Sequence, residues 1–231
     1  MSSGPSKELQ RVDDRTGKGS FLKFGQRALL RTLFLWVPVG SLAFADMIDT
    51  SGMEPWEVCA LCHSLDGISV MAKFPKLAGQ RAAYIEKQFQ DFHSGSRSND
   101  GGQMQAITLE VNDSDLSSIA AYFENLPAPP AAESFPEADI AIGRDLFQSG
   151  NQMVPPCKTC HGSTGSDVPL APWLEAQHKT YLVKQLQDFR EGRRQNDPGA
   201  VMQSVAGSLT EHEITALADF LATQSRPERK P

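Results

Sequence analysis

The chain has 231 residues, of which 40% are hydrophobic and 22% charged, and a formal net charge of -6. That length allows one or two domains, and the composition supports packed cores while arguing against a multispanning membrane protein. Without a basic excess to neutralise phosphates, a nucleic-acid partner is excluded too.

Lys23, Arg27 and Arg31 precede an apolar run at 32–45, which ends in Ala43, Phe44 and Ala45 ahead of Asp46. Basic flank, short apolar stretch and small-x-small end read as a signal peptide over 1–45, with an uncleaved anchor as the alternative. The stretch before the apolar run is long for a signal, so either translation starts downstream of Met1 or the signal is extended. Residues 1–45 hold seven Lys/Arg and three Asp/Glu, which leaves 46–231 with a net charge of -10. The exported part is therefore an acidic molecule that favours partners with basic docking surfaces.

Gly52 and Pro55 break the lead-in at 46–58, so a first helix there should be short or absent. Cys59, Cys62 and His63 then form C-x-x-C-H, and Pro75 marks a loop behind them. Tyr84, Ile85, Gln88, Phe89 and Phe92 make a stripe at helix spacing. Met104 follows, then a helix with Leu116, Ile119, Ala120 and Phe123 on one face. Four prolines crowd 126–136, which we read as an extended linker between a first domain at 46–125 and a second at 137–225.

The second half repeats the plan. Ile140, Gly143 and Phe147 suggest a helix, and Cys157, Cys160 and His161 form the second C-x-x-C-H, 98 residues after the first. Pro172 and the stripe Tyr181, Leu182, Gln185, Leu186 and Phe189 come next. Gly95, Arg97 and Asn99 match Gly192, Arg194 and Asn196 at an offset of 97, and Met104 matches Met202 at 98. The last helix carries Ile214, Leu217, Ala218 and Leu221, with Thr210 and Glu213 as a capping box. Residues 226–231 form a tail. A duplicated all-α domain explains the pattern, and the aromatic stripes read as core that lines a cofactor pocket.

All four cysteines lie in the two C-x-x-C-H motifs. Their thiols can add across two haem vinyl groups, and the adjacent His is delivered to one face of the iron, the signature of c-type haem attachment. Two disulfides are the rival for an exported protein. A zinc ribbon needs its Cys pairs about 15–20 residues apart, whereas 94 residues separate Cys62 from Cys157. A thioredoxin-like motif needs a strand–helix context that neither copy supplies. Two covalently bound haem c groups are therefore expected.

The opposite axial ligands are expected to be Met104 and Met202, each 41 residues beyond its motif's His. Met71 and Met153 have no counterpart in the other copy, and Met47 and Met53 lie in the lead-in. The metal set is thus His63, Met104, His161 and Met202. A ligating His usually gives its other N–H to a carbonyl, and backbone carbonyls in the Pro75 and Pro172 loops are the predicted acceptors. His93, His178 and His212 have no His partner at the repeat offset and read as surface residues.

The residues at 74–80 (Phe-Pro-Lys-Leu-Ala-Gly-Gln), with Tyr84, Gln88, Phe92, Gly95, Arg97, Asn99 and Met104, resemble the di-haem cytochrome c4 family over about 46–225. The second half, from Cys157 through Asn196 to Met202, resembles that family's other domain. The resemblance implies two tandem class I cytochrome c folds about a pseudo-two-fold axis. Haem thioethers would form at Cys59, Cys62, Cys157 and Cys160, with His63 and His161 proximal and Met104 and Met202 distal. It also implies a periplasmic shuttle from a quinol-oxidising complex to a terminal oxidase or reductase. Ser64, in place of the Gly often found after the first motif, Ala176 where the first copy has Gly79, and the degraded first helix depart from the pattern.

Three functions fit these features: a soluble electron carrier with no catalysis and no small-molecule substrate, a di-haem enzyme such as a peroxidase, and a subunit of a larger dehydrogenase or oxidase. Two strong axial ligands leave no open position for a substrate, which favours the carrier.

Overall fold

A computed structural model describes residues 51–131, 135–162 and 168–226. The signal segment read at 1–45 lies outside them, as do part of the linker and nearly all of the tail. The described residues are helical, with no strand among them.

In the first half, Pro55–His63 form α1, Ala82–His93 α2, Gln103–Leu109 α3 and Leu116–Asn125 α4. In the second, Glu137–Ser149 form α5, Lys158–His161 α6, Lys179–Arg190 α7, Val201–Gly207 α8 and Glu211–Thr223 α9. The matching sequences thus fold alike: α2 with α7, α3 with α8, α4 with α9. Thr210 Oγ1 accepts from the Glu213 N–H and Glu213 returns the bond, as the capping-box spacing requires.

The two copies differ before the Cys pairs. Pro55 does not break the chain there. It sits in the first turn of α1, where a missing N–H costs nothing, and Glu54 and Glu57 close a reciprocal capping box around it. The motif therefore lies within a nine-residue helix in the first half and in a four-residue turn in the second.

The second half has a long α5 crossing α9. Gly143 makes that crossing: a Cβ there would stand 2.1 Å from the Ala216 carbonyl oxygen, so only hydrogen lets the helices meet. Phe147 packs on Phe220 at 5.7 Å. In the first half Tyr122 holds the position equivalent to Phe220, and Trp56 from α1 stacks on it at 4.7 Å with the rings 8° apart. The Trp56 ring thereby supplies the aromatic partner that α5 gives the second half. Ile85, Ile119, Ala120 and Phe123 form one core, and Ile140, Phe147, Leu182, Ile214, Leu217, Phe220 and Leu221 centre the other.

Candidate functional site: two buried imidazoles and the seam between them

Each motif histidine closes its helix and is buried, His63 5% and His161 8% exposed. The Nδ1 of His63 lies 2.8 Å from the Pro75 carbonyl oxygen, and that of His161 lies 2.9 Å from Pro172. A carbonyl only accepts, so each Nδ1 carries the proton and each Nε2 keeps its lone pair. The predicted carbonyl partners are in place in both loops. Burial pushes both imidazoles below their ordinary pKa, with the carbonyl bond opposing, so both rings are neutral.

The Pro75 loop is pinned from behind. The Leu77 and Ala78 N–H groups donate to the Gly67 carbonyl, and the Gly79 N–H donates to Phe123 of α4. In the second half the Ala176 N–H makes the same bond to Leu221 of α9. Ala176 takes the left-handed conformation of Gly79, with φ 56° against 66°.

All four thiols are free, so none is spent in a disulfide. Burial pushes Cys59 and Cys157 up to about 11, which keeps those thiols protonated at neutral pH. Two thiols and a neutral imidazole with an available Nε2, on one helix end, are the donor set that c-type haem requires.

Met104 and Met202 are half-buried second residues of α3 and α8. Each helix starts from a left-handed residue two positions earlier, Gly102 at φ 84° and Ala200 at φ 55°. The Asp100 carboxylate accepts from the Met104 N–H at 2.5 Å, and Asp197 accepts from Met202 at 2.6 Å. These carboxylates hold otherwise orphaned donors of the first turn and fix where each Met begins its helix. Met71 and Met153 stand 50% and 73% exposed, which sets them apart from the matched pair.

Sequence reasoning missed the seam between the halves. Tyr84, Gln88, Tyr181 and Gln185 belong to the stripes expected to line a cofactor pocket, but their polar ends meet across the two halves. Arg97 donates to Gln88 of its own half at 2.7 Å and to Tyr181 and Gln185 of the other at 3.1 and 2.9 Å. Arg194 mirrors it, donating to Gln185 at 2.9 Å and across to Tyr84 and Gln88 at 3.2 and 2.9 Å. Asn99 reaches Asp188 at 2.6 Å, and Asn196 reaches Asp91 at 2.5 Å. Each guanidinium also lies over a phenylalanine, Arg97 over Phe92 and Arg194 over Phe189. Burial opposes the Asp188 charge, but bonds from Lys184, Asn99 and Arg193 outweigh it and hold the carboxyl below its usual range. The repeat arithmetic marked these residues as equivalent; only a two-fold exchange makes equivalent residues bind each other's partners.

His178 corrects another reading. It is half-buried, and its Nε2 lies 2.9 Å from the Ser69 carbonyl oxygen in the other half. Its repeat equivalent, Arg81, likewise crosses over, to the Val168 carbonyl at 2.9 Å and onto the Trp173 ring at 4.1 Å. His212 is exposed beside Asp139, as expected of a surface residue.

Residues 140–225 match the cytochrome c family model. The chain is 37% identical over 201 residues to the cytochrome c4 of Pseudomonas aeruginosa, covering 84% of this chain and 96% of that protein. It is 38% identical over 175 residues to a thiosulfate dehydrogenase electron acceptor of Stutzerimonas stutzeri, covering 74% and 80%. Its structure resembles that of reduced cytochrome c4 from Pseudomonas stutzeri with a TM-score of 0.64 and 36% identity, over 72% of this chain and 93% of that one. With two C-x-x-C-H sites on two class I cytochrome folds, the chain belongs to the cytochrome c4 family of di-haem electron-transfer proteins and carries haem c.

Proposed function

We propose that this chain is an exported, periplasmic shuttle that takes electrons from a quinol-oxidising complex and delivers them to a terminal oxidase or reductase, with no catalysis of its own. Cys59 and Cys62 hold the first haem by thioether bonds and Cys157 and Cys160 the second. His63 with Met104, and His161 with Met202, hold the two irons. When bound, haem c supplies a one-electron ferric–ferrous couple, and thioether ligation favours the ferrous side. The chain's own residues hold the imidazoles neutral and oriented and place the methionines. Supporting this reading most directly is the paired arrangement of a buried, neutral histidine whose Nδ1–H is committed to a proline carbonyl.

Charge supports the choice of partner. Residues 46–130 hold 12 acidic and five basic side chains, and 131–231 hold 13 and 10. The more acidic first half favours a basic partner surface and lets electrons enter by one half and leave by the other. The export reading rests on the sequence of 1–45; among the described residues no helix is long and apolar enough to cross a membrane.

A second reading has a specific observation in its favour: relatives from two organisms are thiosulfate dehydrogenase electron acceptors. In that case the donor is a thiosulfate-oxidising enzyme. Stopped-flow reduction of the oxidised protein by each donor separates the two. Fast, salt-sensitive reduction by the quinol-oxidising complex supports the shuttle, and reduction by thiosulfate dehydrogenase alone overturns it.

A further inference from the structure

The peptide groups that anchor the two histidines are gripped from the opposite half. The carbonyl of Pro172, which accepts from His161, belongs to the same peptide unit as the N–H of Trp173. That N–H donates to Gln80 Oε1 at 2.9 Å, and Gln80 Nε2 donates back to the Trp173 carbonyl at 2.9 Å. In the mirror arrangement, the Lys76 N–H shares a peptide unit with the Pro75 carbonyl that accepts from His63. It donates to Gln177 Oε1 at 2.8 Å, and Gln177 Nε2 donates to the Lys76 carbonyl at 3.0 Å. Gln80 and Gln177 are 3% and 5% exposed. Only a side chain with one acceptor and one donor at this reach makes such a clasp.

We propose that Gln80 and Gln177 are positioning residues that set the reduction potential of the haem in the opposite half. This inference rests on His63 and His161 being iron ligands. Each glutamine oxygen draws on a peptide N–H, and an amide polarised at its N–H carries more negative charge on its carbonyl oxygen. Hydrogen bonds in such a chain strengthen one another, more so away from water. The carbonyl then pulls harder on the histidine Nδ1–H, and the imidazole becomes a stronger donor through Nε2. A stronger donor stabilises ferric over ferrous iron and lowers the potential. The influence crosses the seam: Gln80 acts on the half that contains His161, and Gln177 on the half that contains His63. Each half therefore tunes its neighbour.

The test uses the holoprotein with Gln80→Met, Gln177→Met, Gln80→Ala as a smaller variant, and Tyr181→Phe as a seam control away from the clasps. Potentiometric titration is followed by paramagnetic NMR, in which the methyl resonances of the two haems are read separately. Gln80→Met and Gln80→Ala should raise the potential of the second-half haem, changing its ferric-to-ferrous ratio about threefold at the wild-type midpoint. The first-half haem should barely move. Gln177→Met should give the mirror result, and Tyr181→Phe should leave both in place. Equal shifts of both haems, a shift confined to the glutamine's own half, or no shift overturns the proposal. Loss of the ligand set itself shows separately, as a wild-type spectrum without thioether-ligated ferric haem.

Discussion

Arg97→Ala probes how strongly the two halves are tied. Arg97 is 5% exposed and sends two bonds across the seam, to Tyr181 at 3.1 Å and Gln185 at 2.9 Å. A hydrogen bond from a charged donor contributes about 1.5–3 kcal/mol, and the contact with Phe92 adds about 1 kcal/mol. Two terms reduce the loss. The Gln185 oxygen keeps Asn99 at 3.0 Å and Arg194 at 2.9 Å, so it is not orphaned. Removing one of two neighbouring buried cations also relieves repulsion and desolvation. The net expectation is a destabilisation of about 3 kcal/mol. Urea unfolding followed at the haem band and by far-ultraviolet dichroism should show a lower midpoint, with the second half retaining structure after the first has unfolded. Arg194→Ala should cost about the same, and the double variant less than the sum. A loss under about 1 kcal/mol, with the halves still unfolding together, would refute the reasoning.

Ser64 sits at φ 66° and ψ 153°, a region suited to glycine. Ser64→Gly should therefore raise stability by about 1 kcal/mol in the same urea assay, and a lowered midpoint would count against the strain. Gly143→Ala should cost about 3 kcal/mol, because its methyl would collide with the Ala216 backbone oxygen. A midpoint unchanged from wild type would show that α5 and α9 adjust freely. Burial first, then Lys76, hold His178 below its ordinary value of 6.5, with the Ser69 carbonyl opposing. The unfolded chain binds that proton more readily, so this contribution is complete above about pH 6.5 and is lost as pH falls from there through the folded value. Urea midpoints on either side of that pH should therefore differ more in wild type than in His178→Gln; equal differences would remove His178 from the account.

The sequence announced its chemistry because spacing alone carries it. Two thiols and a histidine in five residues have few other uses, and the repeat offset then selected Met104 and Met202 from seven methionines. The proline carbonyls were legible for a related reason: Pro75 and Pro172 recur at the 97-residue offset kept by Gly95, Arg97 and Asn99, one residue short of the motif offset. The seam was not legible. Gln88 and Arg97 recur in the second copy, yet recurrence does not say whether a residue binds its own half or the other. The available clue was a glutamine on an otherwise apolar helix face, twice, with a matched arginine nine residues on. A buried amide needs a partner, and each glutamine takes one from the arginine of its own half and a second from the arginine across the seam. Trp56 was hidden for a different reason. Gly52 and Pro55 read as breakers, whereas proline in a first turn starts a helix as readily as it stops one.

The central claim is that both irons are closed by methionine sulfur. The most direct measurement is the weak long-wavelength absorption band of thioether-ligated ferric haem, taken on wild type, Met104→Ala, Met202→Ala and the double variant. The account predicts two haems per chain in every protein, with the band halved in each single variant and absent in the double. A wild-type protein that lacks the band, or a band that survives in the double variant, would contradict it.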